Sequence, residues 1–438
     1  MSPPRTGHVL LGVNVLVLGY LPAAWQSPRL PDDAFVDPGY WSTIGRLAER
    51  GTLDAIFLAD GPALGDPSHD ANAGRLEPTV NWAHVATATE HVGLVVTAST
   101  TFNDPFELAE RLLSLDVLSR GRAGWNIVTT RGAASAANFG LPDVPARDDR
   151  YDRAEEFVEL VLALWESART GRTVAHHGDF FDLVGRLRVP PSPQGRPVLL
   201  QAGGSPKGRR LAGRFAEGVF AAELTKEGAI EHYRQVKGYA VESGRSPDDV
   251  RILPGLLLSL GSTEEEARRR SDELHDLGPA AYSTQWLSQA IGFDASTLPL
   301  DEPFPEEVLS GPIDRQTFTG SIGFRESIIK QIRRTKPTVR EYLRQTRYTG
   351  SGHAGFVGTP EQLADHIEDW FRSGAIDGFN LQPDRLVDGL EVIVDEVVPL
   401  LRAKGLFRHE YETGTLREHF RAAAPTPGEA GPAVARPA

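Results

Sequence analysis

Val92-Gly-Leu-Val-Val-Thr-Ala-Ser-Thr100, Pro105-Phe-Glu-Leu-Ala-Glu-Arg-Leu-Leu-Ser-Leu-Asp-Val-Leu118 and Gly124-Trp-Asn-Ile-Val-Thr-Thr130 follow one another along the chain and decide its fold. The first and third are short apolar runs rich in β-branched residues. The second opens on a proline after Asp104 and carries its leucines at helical spacing, as a helix does. Strand, helix, strand in that order is a βα unit, and near-continuous apolar strands belong to a parallel sheet covered on both faces.

The alternation extends in both directions. Strands are predicted at His8–Leu16, Leu53–Asp60, Val92–Thr100, Gly124–Thr130, Val198–Gly203, Gly218–Ala222, Arg251–Leu260 and Gly378–Gln382. Between them lie helical patterns at Pro38–Arg50, Asn81–His91, Pro105–Leu118, Tyr151–Ser167, Gly208–Ala216, Glu227–Glu242, Pro360–Arg372 and Leu386–Ala403. Eight strands, each followed by helical sequence, make an α/β protein with a (β/α)8 TIM barrel. The spacing is regular up to the seventh strand. Residues 262–376, with acidic and basic helices and a proline-rich stretch near Leu298–Pro312, read as a long insertion after strand seven that walls the barrel mouth. One domain is expected over residues 1–421, and the Ala/Pro/Gly-rich 422–438 is expected to be a disordered tail.

Bulk composition narrows the function. The 438 residues are 40% apolar and 24% charged, ordinary for an enzyme with a sizeable core. A net charge of −13 without a basic segment disfavours nucleic acid and anionic membrane surfaces as partners. There is no cysteine and only Met1 supplies a thioether, so disulfides, thiolate nucleophiles and thiolate metal sites are excluded. The apolar run from Leu10 to Leu21 is interrupted by Asn14 and preceded by a single basic residue, Arg5. It reads as a buried first strand rather than a leader, and the chain is expected to be cytoplasmic.

Chemistry in such a barrel sits at the C-terminal ends of its strands. Here those ends hold Asp60, Ser99-Thr-Thr101, Asn126 with Thr129-Thr130, Gly203-Gly-Ser205 and Glu223. The set is small, polar and hydroxyl-rich, with only Asp60 and Glu223 to offer the carboxylate pair of a glycosidase. His176-His177 are adjacent without ligand spacing, and no metal is expected. In Gln201-Ala-Gly-Gly-Ser205-Pro-Lys-Gly208 a strand ends, glycines allow close backbone approach, and a helix begins. Its exposed N–H groups suit a phosphate, the plainer reading being an ordinary glycine-rich turn.

A longer ordered series adds to this. It runs from Ala48-Glu-Arg-Gly-Thr-Leu-Asp54 and Phe57-Leu-Ala-Asp60 through Leu76-Glu-Pro78 to Glu90-His-Val-Gly-Leu94 and Ser99-Thr-Thr-Phe-Asn-Asp-Pro105. Ser114-Leu-Asp-Val-Leu-Ser119, Gly121-Arg-Ala-Gly-Trp-Asn126-Ile-Val-Thr129, Asn138-Phe-Gly140 and Arg150-Tyr151 with Ala154-Glu-Glu-Phe157 follow. Pro193-Gln-Gly-Arg-Pro-Val198, Gln201-Ala-Gly203, Val357-Gly-Thr-Pro-Glu361 and Asp377-Gly-Phe-Asn380 complete it. The series resembles the bacterial luciferase-like FMN-dependent monooxygenases, in the subgroup of the nitrilotriacetate, dibenzothiophene-sulfone and pristinamycin synthase enzymes.

That resemblance implies a two-component enzyme. Reduced FMN and O2 would form a C4a-peroxyflavin that oxygenates a small organic substrate, while the protein keeps the adduct dry and oriented. No nicotinamide fingerprint is present, so a separate NAD(P)H:flavin reductase is implied as partner. Asp60 would face the flavin ring, and Thr97, Ser99, Thr100 and Asn126 would line it. Tyr151, Ser205 and the N–H groups of Gly203 and Gly204 would hold the FMN phosphate. Phe57, Trp82, Phe102 and Trp125 are either walls for the cofactor or plain core.

Two departures stand out. Tyr20, after Gly19, replaces the family's histidine behind strand one, and Arg147 replaces another, four residues before Tyr151. Histidine changes charge near neutrality and arginine does not, so proton relay at these points is in question. Tyr20 can still donate a hydrogen bond, and Arg147 can neutralise a phosphate or an anionic substrate. Tyr20, Asn126 and His353 form the candidate catalytic set. The alternatives are a deazaflavin-dependent dehydrogenase of the same superfamily and an inactive flavin-binding accessory protein. A homodimer or homotetramer is expected from the family.

Overall fold

The computed structural model describes residues 7–16, 18–21, 24, 31, 33–63, 76–130, 132–277, 284–313, 318, 320–346 and 352–420. Its elements in order are β1 (Leu10–Val15), α1 (Pro38–Arg50), β2 (Ala55–Leu58), α2 (Pro78–Ala86), β3 (Gly93–Ser99), α3 (Pro105–Leu118), β4 (Ala123–Val128), α4 (Ala133–Asn138), α5 (Arg147–Thr170), β5 (Val174–His177) and β6 (Asp182–Gly185). Then come β7 (Val198–Gln201), α6 (Pro206–Phe215), β8 (Gly218–Ala221), α7 (Lys226–Glu242), β9 (Arg251–Leu260), α8 (Glu264–Leu277), α9 (Thr284–Ile291), α10 (Glu306–Ser310), α11 (Ile322–Thr335) and α12 (Val339–Thr346). The chain finishes with β10 (Ala354–Gly358), α13 (Pro360–Arg372), β11 (Gly378–Pro383), α14 (Asp388–Val392), a π-helical turn (Ile393–Val397), α15 (Val398–Ala403) and α16 (Leu416–His419). The tail assigned to 422–438 lies outside the described residues.

Parallel strands close in the order β1-β2-β3-β4-β7-β8-β9-β11, with β11 paired back to β1. This is the (β/α)8 barrel that the alternation predicts, and all eight predicted strands are present. Period-2 alternation sorts their side chains. Leu11, Val13, Ile56, Leu94, Val96, Trp125 and Leu199 face outward into the main core against the helices, whereas Leu10, Phe57, Val95, Val198, Leu200 and Leu253 fill the barrel interior.

Helix starts follow their caps. Asp37 accepts from Gly39 N–H at 2.9 Å, Asp104 from Phe106 and Glu107, and Thr359 closes a reciprocal capping box with Gln362 ahead of Pro360. Helix α2 departs from expectation, starting at Pro78 and ending at Ala86 rather than spanning Asn81–His91. Glu77 caps it through Val80 N–H at 2.8 Å, and Glu49 on α1 takes the N–H groups of Glu90 and Val92 out of any helix.

Several features lie outside the eightfold pattern. Strand β9 pairs with β8 through Arg251–Pro254 and then with β10 through Leu256–Leu260, so one edge serves two neighbours in turn. Helices α9 to α12 gather round a separate apolar cluster that includes Leu287, Val308, Ile328, Ile332 and Tyr342, while Leu363, Ile367, Trp370 and Phe371 of α13 belong to the main core. At the other end, Leu416 and Phe420 enter the barrel interior. Glycines make room for them: a Cβ on Gly93 would stand 2.4 Å from Leu416, and one on Gly218 would stand 2.9 Å from Phe420.

Candidate active site

The C-terminal ends of β3 and β4 form one wall of the barrel mouth. Thr97 and Asn126 are inward neighbours in register, and the Asn126 amide donates to Thr97 Oγ1 at 3.0 Å. Asn126 Oδ1 is buried and has no partner among the described residues. Beyond the strand end, Asn103 donates to the Ser99 carbonyl at 2.8 Å and Arg153 of α5 to the Thr100 carbonyl, while Thr101 N–H reaches Ser99 Oγ at 3.1 Å. With their carbonyls held from behind, Ser99 and Thr100 are fixed in place; Phe102 stacks on Phe139 at 4.6 Å beside them.

The loop from β7 into α6 makes a second feature. Ser205 caps α6, accepting from Gly208 N–H at 3.1 Å, and its hydroxyl donates to Tyr151 of α5 at 3.2 Å. Pro206 sits at the first helical position, where no N–H is needed. Gly204 lies against Gly323 in the first turn of α11: a Cβ on Gly204 would stand 2.9 Å from Gly323 Cα. Ser321 caps α11 through Phe324 N–H. Two helix N-termini therefore meet at Gly204, each with a partial positive charge and first-turn N–H groups.

Between β8, β9 and α11 lies an aromatic cluster. His353 is 5% exposed and stacks on Phe220 at 4.8 Å, with Phe324 edge-on at 5.6 Å and Tyr20 at 6.4 Å. It is no solvated loop residue, and its Nδ1 has no hydrogen-bond partner among the described residues. Burial pushes His353 down to about 4. The unfolded imidazole takes its proton near 6.5 and the folded one only near 4, so stability falls as pH drops through that window. His353→Phe, which keeps the stack, is expected to flatten that loss when urea midpoints are compared between pH 6.5 and 4. An unchanged slope would place the acid-sensitive group elsewhere.

The predicted residues fall into place unevenly. Thr97 with Asn126, Ser205 with Tyr151, and Tyr20 with His353 come together as pairs. Asp60 follows β2 at the rim, half-buried. Arg147 is the first residue of α5, and its side chain lies outside the described residues. Trp82 and Trp125 are core: their indoles donate to Val95 and Ala98 carbonyls at 2.8 and 3.0 Å in the layer between sheet and helices. Glu223 is committed to His232 at 2.9 Å. Sequence reasoning missed Phe220, Phe324, Gly323 and the inward amides Asn14, Asn380 and Gln382. For the amides the signal was available, as polar residues at alternate positions inside apolar strands. No helix among the described residues is long and apolar enough to cross a membrane.

The profile of the family described as "Luciferase-like monooxygenase" matches residues 22–377. N-acetyl-S-(2-succino)cysteine monooxygenase of Bacillus subtilis is 40% identical, over 94% of this chain and 96% of its own length. Nitrilotriacetate monooxygenase component A of Aminobacter aminovorans is 38% identical, over 96% and 98%. Among solved structures, riboflavin lyase (RcaE) with modified FMN and substrate riboflavin superposes with a TM-score of 0.81 at 29% identity, covering 98% of this chain and 99% of that one.

Proposed function

The chain belongs to the luciferase-like monooxygenase family, and we propose that it is the oxygenating component of a two-component system that takes reduced FMN from a separate NAD(P)H:flavin reductase. With O2 it oxygenates a small organic substrate. The observation that carries this reading is the cradle at Ser205, Tyr151 and Gly204, which faces the same mouth as Thr97 and the partnerless Asn126 oxygen. The residues fit the cofactor. Helix N-termini and two hydroxyls suit a phosphate dianion, and a buried amide oxygen without a partner suits a ring bearing N–H groups.

Bound reduced FMN supplies the electrons that activate O2. The chain's own part is binding and exclusion. Ser205, Tyr151 and the N–H groups at Gly203 and Gly204 anchor the phosphate, Ser99, Thr100 and Asn126 orient the ring, and Asp60 stands at the rim. Phe102 with Phe139 on one side and Phe220 with Phe324 on the other keep water from the mouth, which suppresses side reactions. Tyr20, edge-on to His353, carries the hydroxyl that would donate a hydrogen bond to the substrate. His353 beside it stays neutral at physiological pH, available as donor or acceptor but not as a standing charge.

Titration with oxidised and photoreduced FMN, then rapid mixing with O2, tests the reading. Tighter binding of the reduced form is expected, with a transient absorbance before oxidised flavin returns. Reduced FMN bound without a transient would favour an accessory role, and no flavin binding at all would overturn the proposal.

A further inference from the structure

Polar side chains in the interior of a barrel need partners. On β1 and β11, Gly12 pairs with Asn380 and Val13 with Leu381, and one further step sets Asn14 beside Gln382. All three amides share the inward face with Leu10. Gln382 is 0% exposed, and neither its Oε1 nor its Nε2 has a partner among the described residues; Asn14 Oδ1 and Asn380 Oδ1 are likewise buried and unpartnered. The register explains why. Asn380 is flanked by Gly12 on β1 and Gly255 on β9, and Gln382 by Leu257 on β9, so Asn14 is the one polar side chain these registers set beside them, and its Oδ1 is itself unpartnered among the described residues.

Counted round the barrel from β1, β7 is the fifth strand, directly across from β1, and β4, the fourth, is across from β11. A ligand anchored by its phosphate on the loop after β7 and lying across the mouth ends over Asn14 and Gln382. Resting on the FMN reading above, we propose that Gln382, assisted by Asn14, hydrogen-bonds the imide edge of the flavin, where an N–H stands between two carbonyls. A primary amide presents a donor and an acceptor side by side, the complement of that edge. Strands two to four and the loop after β7 then hold the phosphate and one face of the ring, while β1 and β11 read its far end.

The test compares reduced FMN with reduced N3-methyl-FMN, in which the imide N–H is blocked, on wild type and Gln382→Leu. Wild type is expected to bind the methylated flavin about tenfold more weakly, a difference of one decade in Kd. Gln382→Leu is expected to bind reduced FMN about tenfold more weakly than wild type and to treat the two flavins alike. Removing a buried, unpartnered amide is also expected to leave the Tm of the flavin-free protein unchanged or raise it on the order of 1–2 °C. Loss of affinity with gain of apo stability is a signature that a merely structural glutamine does not produce. Equal binding of the two flavins by wild type, retention of the methyl penalty in Gln382→Leu, or a fall in its apo Tm overturns the proposal. Asn14→Leu, on a different strand, is the second variant if Gln382→Leu does not fold. Failure of wild type to bind reduced FMN overturns the FMN reading itself, and this proposal with it.

Discussion

Leu416→Ala is expected to lower the unfolding free energy by about 2–5 kcal/mol, as a buried leucine does when its cavity cannot collapse. Leu416 is 0% exposed and sits in the barrel interior, and a Cβ on Gly124 would stand 3.1 Å from it. The walls around it are strand backbone at glycine positions, held by ladder hydrogen bonds, so they cannot close on the space left. Its own segment is fixed from both sides: Leu416 N–H donates to the Gly121 carbonyl at 3.0 Å, and Thr415 forms a capping box with Glu418. Urea unfolding followed by tryptophan fluorescence measures the loss. Flavin affinity should remain within about threefold of wild type, well under the 1.4 kcal/mol of a tenfold change, because the mouth lies at the opposite end of the strands. A loss below about 1 kcal/mol would mean that the segment after Thr415 is dispensable to the barrel.

Ser205→Asp is expected to weaken reduced FMN by about 100-fold or more, equivalent to about 2.7 kcal/mol, while reduced riboflavin binds as before. Aspartate caps a helix as well as serine does, so α6 should start in the same place and the Tm should hold. What changes is one negative charge at the point where Ser205 Oγ meets Gly208 N–H and Tyr151. Two unit charges about 4 Å apart repel by about 4 kcal/mol at the effective dielectric of a protein surface, enough to account for the loss even after partial screening. Riboflavin lacks the phosphate and serves as the internal control. Equal weakening of both flavins would move the phosphate away from this loop.

The barrel and one half of the candidate site were legible in the sequence. Strands carry a two-residue period and helices proline or aspartate at their starts, and both signals are local, so Asp104-Pro105 and Thr359-Pro360 announce their helices directly. The loop at Gln201–Gly208 was legible for the same reason. What escaped is what depends on long-range approach. Gly323 joins the cradle only because α11 folds back 119 positions along the chain, from Gly204. Strand β10 is five residues with two glycines and owes its pairing to the extra length of β9. Trp82 and Trp125 look like aromatic walls until the alternation of β4 sends Asn126 inward and Trp125 outward. His353 could be named but its burial could not, since Phe220 and Phe324, which enclose it, come from β8 and α11.

The contact between Gly204 and Gly323 ties the region around α11 to the loop after β7, the proposed phosphate cradle, at a spacing that no methyl group could enter. Any ligand that shifts α11 by an ångström must shift or strain that loop. By thermodynamic reciprocity, the factor by which such a ligand alters flavin affinity equals the factor by which flavin alters the affinity of that ligand. An enzyme wired in this way need not sense its two ligands separately. How strongly the two ligands feel one another would be set by the fit of two glycines.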